Sequence, residues 1–246
     1  MTIHELIVIR SGGLPFYVRK LDSDILLKSG FYKAIYDFGR QEDSCLSRIE
    51  FINGRFAYCQ YFEEKDLLFF MTVDSFHFKE GIILKMQRLY DEIFKNLEPP
   101  TAGKVFTDEK TTAKVEEILL ETPIKRKLLA YHFSIQDFCQ NILKNEEIKA
   151  ISIHTLDNTY LFGMGCEFDN KIKNWLLNWN LVNPPAPYEY EFGNYLDEKT
   201  LQAILMNSGI GLGPNNNFIL YYIFGEAANL GYYMDRLSSK LNKIIG

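Results

Sequence analysis

Residues 7–18 read IVIRSGGLPFYV, two apolar runs separated by Ser11-Gly12-Gly13. The glycines either cradle a phosphate or turn one strand back on another. A phosphate loop needs a helix to begin directly after the glycines, so that backbone N–H groups and the helix dipole face the anion. Here a proline and a further apolar run come next, and positive-φ glycines are what a tight hairpin demands. The stretch reads as a hairpin, strand 3–10 returning through strand 15–20.

Outward from that hairpin, a helix capped by Asp22 or Ser23 comes next, with Leu27, Phe31, Ala34, Ile35 and Phe38 recurring along one stripe. Tyr32 and Tyr36 fall on its flank, four apart, either as the margin of the core or as an interface strip. Strands over 46–52, 55–62 and 66–73 succeed it, the first two joined by Asn53-Gly54, a strong hairpin signal. A helix over 80–97, with Ile82, Met86, Leu89, Ile93 and Leu97 on one face, ends before Pro99-Pro100.

The order strand, strand, helix, three strands, helix resembles a longin domain, an antiparallel five-stranded sheet with its first helix inserted between strands two and three. IHELIVIRSGGLPFYVRK and DLLFFMTVD are the stretches that carry the likeness, which covers residues 1–97.

EPPTAGKVFT, residues 98–107, reads as a linker. DEKTTAKVEEILL reads as a short helix stopped by Pro123, either packing on the first sheet or bridging to the second half of the chain. The region 98–126 is therefore a linker with a short helix. From Lys127 the pattern begins again with a helix striped by Tyr131, Ile135, Phe138 and Ile142. A hairpin over 148–155 and 159–165 turns at Leu156-Asp157-Asn158. A helix over 169–182 places Ile172, Trp175, Leu176 and Trp179 on one face before Pro184, Pro185 and Pro187. Strands near 188–193, 200–206 and 217–224 precede a last helix over 226–245. Residues 127–246 resemble a roadblock domain, through AISIHTLDNTYLFGMG and FGEAANLGYYMDRLSSKL, in which Gly231 is expected to pack closely on a strand. The fold class expected is α/β of the α+β type, with two longin/roadblock-like domains, each a five-stranded antiparallel sheet with flanking helices.

Composition narrows the chemistry. The 246 residues carry 27 Lys+Arg against 32 Asp+Glu, a net charge of −5, which argues against a nucleic-acid partner. No run approaches the ~20 apolar residues of a membrane span, and no secretory signal opens the chain, so a cytoplasmic location is expected. Cys45, Cys59, Cys139 and Cys166 and the four histidines lie far apart, without the close pairs of a zinc site. The cysteines read as buried free thiols, and His4 and His154, inside expected strands, as part of a sheet face rather than catalytic, with no metal and no cofactor expected. Glu63-Glu64, Glu116-Glu117 and Glu146-Glu147 read as solvated charge. SGIGLGPNNN, from Ser208, lacks the third glycine and the helix of a dinucleotide loop, and reads as a wide strand connection. GxSxG, HExxH and GxxxxGK[ST] are absent from the sequence, so no catalytic residue is assigned.

Both resemblances imply a non-enzymatic adaptor or regulator that binds a Ras-like small GTPase, as in vesicle trafficking, with any membrane association running through partners. The alternatives are a structural subunit of a trafficking or motor-type complex and a small-molecule sensor. The inserted helices are expected at interfaces through Tyr32, Tyr36, Trp175 and Trp179, in an intramolecular longin–roadblock pairing or a homodimer.

Overall fold

The computed structural model describes all residues except 1–2, 11, 20–23, 42–46, 75–76, 99–103, 145–147, 166–182, 195–200, 212–217, 227–229 and 246. The protein is α+β, with two separate five-stranded antiparallel sheets. It divides into two compact units, one of Thr2–His77 with Ile82–Leu120, the other of Met1, Phe78–Gly81 and Glu121–Gly246.

The first sheet is ordered β2-β1-β5-β4-β3, from β1 (Ile3–Arg10), β2 (Pro15–Val18), β3 (Arg48–Glu50), β4 (Arg55–Phe62) and β5 (Leu67–Asp74). The opening glycines do form a turn. Gly13 adopts φ 77°, its N–H bonds to the Arg10 carbonyl at 2.8 Å, and Val8 pairs with Tyr17. Gly54, at φ 73°, makes the β3–β4 turn in the same way.

Strand alternation gives this sheet two apolar faces. Ile7, Ile9, Ala57, Cys59, Leu68 and Phe70 lie under α1 (Ile25–Gln41). Leu6, Val8, Tyr58, Phe69, Met71 and Val73 pack with α2 (Lys79–Glu92) and α3 (Glu109–Leu119). Helix α3 thus belongs to the first sheet, which settles the alternative left by the sequence. Val115, Ile118 and Leu119 are buried, Asp108 caps the helix by accepting from the Thr111 N–H at 2.8 Å, and Lys85 Nζ donates to the Leu119 carbonyl. Arg19 grips Glu116 with two nitrogens, at 2.5 and 2.7 Å. Ahead of α3, Phe106 bonds from its N–H to the Phe16 carbonyl at 2.7 Å and bridges Tyr17, so residues expected as free linker cover the β2 edge.

The second sheet repeats the topology, β7-β6-β10-β9-β8. It comprises β6 (Ile148–Thr155), β7 (Tyr160–Gly165), β8 (Tyr190–Asn194), β9 (Leu201–Gly211) and β10 (Phe218–Glu226). One face, with Ile151, Ile153, Ile204, Ile219, Tyr221 and Ile223, packs with α4 (Thr122–Ala130), α5 (His132–Leu143) and α6 (Leu230–Ile245). Pro123 starts α4 rather than stopping α3. A proline at the first helical positions loses only an N–H that has no helical partner, and Glu121 at φ 53° makes the break. The single helix expected from Lys127 is two, interrupted at Tyr131, which is exposed rather than part of the core stripe. Strand β9 runs on to Gly211, so the glycine-rich connection begins later than its composition suggests. The packing of Gly231 lies outside the described side chains.

Candidate protein-interaction surface

Helix α1 carries two apolar stripes, and the structure turns the aromatic-hydroxyl one inward. Ile25, Ser29, Tyr32, Tyr36 and Gly39 face the sheet; the first three and Gly39 are buried and Tyr36 is half-buried. The Tyr32 ring stacks on Phe70, and its hydroxyl donates to Glu5 Oε2 at 3.4 Å, while Glu5 Oε1 receives Lys28 Nζ. Burial pushes the Tyr32 phenol above its ordinary range. Tyr36 lies 6.1 Å from Tyr61, ring centre to ring centre. Ala57 and Cys59 on the sheet are small, which leaves room beneath the helix for rings of this size.

The stripe read from the sequence as core is therefore on the outside, except for half-buried Ile35. Leu27 is 76%, Phe31 54% and Phe38 67% exposed, with Leu26, Gly30 and Ala34 exposed beside them. Leu27, Phe31, Ala34 and Phe38 are spaced four, three and four apart, the seam spacing of paired helices. Gly30 gives an independent sign. A Cβ there would meet no atom within 4 Å, so nothing among the described residues requires glycine at the middle of α1. It costs the helix about 1 kcal/mol against alanine. Gly30 and Ala34, one turn apart, are the small residues of this exposed face. A contiguous exposed apolar face of this kind marks an interaction site.

Of the four residues expected at an interface, Tyr32 has its ring in the core, Tyr36 is half-covered by its own sheet, and Trp175 and Trp179 lie outside the described residues. Leu26, Leu27, Phe31 and Phe38 take the outward positions. The legible signal for them was Gly30, a helix-weakening residue inside an apolar stripe.

A second polar cluster looks chemical at first sight. Ser152 Oγ and His154 Nε2 are 3.0 Å apart, His154 Nδ1 is 3.3 Å from the Asn158 carbonyl, and Tyr222 donates to Asn158 Oδ1 at 2.7 Å. The carbonyl fixes the proton on Nδ1, leaving Nε2 to accept from the serine. Ser152, His154, Asn158 and Tyr222 are all fully buried, so this serine–histidine pair reads as a satisfied network holding the β6–β7 turn rather than a nucleophile facing a substrate. His4 bonds Asp74 at 2.6 Å across β1 and β5. Cys59 and Cys139 are buried thiols, burial pushing that of Cys139 up to about 12; Cys45 and Cys166 lie outside the described residues. Among the described residues no group of His, Cys, Asp and Glu is placed to hold a metal, and no helix is long and apolar enough to cross a membrane.

No protein-family model matches the chain, and no curated protein matches it.

Proposed function

We propose that the chain is a cytoplasmic, non-enzymatic adaptor or regulator, a longin-like domain followed by a roadblock-like one, that binds a Ras-like small GTPase. The identity of the partner comes from the resemblance of residues 1–97 and 127–246 to those families. The observation that carries a binding role is the outer face of α1, where Leu27, Phe31 and Phe38 stand exposed with the small residues Gly30 and Ala34. Two sheets of identical strand order support the reading of two related domains.

A Ras-like GTPase orders its switch segments with one nucleotide and releases them with the other. A rigid apolar ridge that packs against the ordered form favours that state through binding alone, without a catalytic residue of its own. The test is capture of Ras-like GTPases, loaded with GDP or with a non-hydrolysable GTP analogue, by the intact chain. Capture that depends on nucleotide supports the reading; no capture in either state refutes it.

A further inference from the structure

The elbow between α4 and α5 carries basic and exposed apolar side chains together. Residues 122–136 hold Lys125, Arg126 and Lys127 and no carboxylate, within a chain of net charge −5. The Tyr131 N–H bonds back to the Leu128 carbonyl, closing α4, and the Tyr131 carbonyl receives Ile135 N–H, opening α5. Ile124, Leu128 and Ile135 point into the core of the second sheet. That fixes what must point away: Arg126, Lys127, Leu129, Tyr131 and Phe133 are exposed, Leu129 at 65% and Phe133 at 85%. His132 packs edge-on against Phe162 of β7, which anchors the start of α5.

We propose that this elbow docks directly on an anionic lipid surface, Phe133 and Leu129 entering the headgroup region while Arg126 and Lys127 meet the lipid phosphates. Phe133 is 85% exposed, its ring meeting that of His132 edge-on. Apolar tips flanked by cations are what an interface of headgroups and acyl chains accepts, because long basic side chains keep their charge at the surface while their stems lie along apolar neighbours. The carboxylates that bracket this stretch in sequence are Glu121, which is buried, and Asp137, exposed one turn beyond Phe133 on α5. This contact differs from the partner-mediated membrane association expected from the sequence, and it is independent of the α1 reading.

The test is flotation of the intact chain with vesicles of phosphatidylcholine alone or with about one quarter phosphatidylserine. The expected result is flotation with the anionic vesicles only, abolished by high salt. Arg126→Ala and Lys127→Ala should each lower partitioning about fivefold, since a basic residue near such a surface contributes ~1 kcal/mol. Phe133→Ser should lower it about tenfold, from loss of part of an aromatic side chain's burial. Because these side chains are exposed, near-ultraviolet circular dichroism should be unchanged in all three. Absence of flotation with anionic vesicles overturns the proposal, as does undiminished flotation of folded Phe133→Ser or of the Arg126→Ala/Lys127→Ala double variant. Binding only to an acidic soluble protein, without flotation, overturns it too.

Discussion

The rings of Tyr32 and Phe70 lie 4.5 Å apart and 17° from parallel. That stack sets the rotation of α1 on its sheet, and with it the residues left for a partner. If Tyr32 faces the sheet, Phe31, about 100° round the helix, must face away.

The two neighbours should therefore respond oppositely to truncation. Tyr32→Ala should lower unfolding free energy by about 3 kcal/mol, in the range for large buried aromatics, and Phe31→Ala by no more than about 0.5 kcal/mol. Urea titrations of the two variants measure this. Equal losses would mean that α1 sits rotated from the position described.

Gly30 gives a prediction of the opposite sign. Since a Cβ at this position meets open space, Gly30→Ala should stabilise the isolated chain by about 0.5–1 kcal/mol. The same methyl group adds bulk to the exposed face beside Ala34, so partner binding there should weaken. A thermal melt and a binding titration on one preparation give both readings; stabilisation with unaltered binding would remove Gly30 from the interaction surface.

Acid should loosen α3 from its first turn. Hydrogen bonds from the Thr111 backbone N–H, then from its side chain, hold the Asp108 carboxyl below the usual carboxylate range. A depressed folded value means that the cap's contribution is fully present above the ordinary aspartate range and is lost as pH falls through the lower, folded value. Amide exchange across Glu109–Leu119 should accelerate in that acid window. Asp108→Asn, which keeps an acceptor but does not titrate there, should remove this component, and an unchanged acid response in that variant would assign it elsewhere.

Much of this fold is legible in short signals. Ser11-Gly12-Gly13 and Asn53-Gly54 mark their turns because positive φ there all but requires glycine, and the repeated order of strands and helices yields two sheets of the same topology. The rotation of α1 was not legible. Leu27, Phe31 and Phe38 are more apolar than Tyr32 and Tyr36, and helical periodicity locates a stripe without saying what it faces. The sheet decided it, through small Ala57 and Cys59 beneath the helix and Glu5 within reach of the Tyr32 hydroxyl, all distant in sequence. The extent of the linker was likewise hidden. Phe106 on the β2 edge and the Arg19–Glu116 pair, the latter 97 residues apart, tie α3 to the first sheet in a way that local composition does not record. Pro123 was ambiguous for a simpler reason, since proline marks the end of one helix and the start of the next equally well.

Binding of the partner by the outer face of α1 is probed at its centre by Phe31→Glu. A charge at this exposed position should leave the urea midpoint within error of the parent chain while burying an unpaired carboxylate in any interface formed there. In a titration of a captured Ras-like GTPase in its preferred nucleotide state, the folded variant should bind at least tenfold more weakly. Binding of parental strength by folded Phe31→Glu would contradict a role for this face.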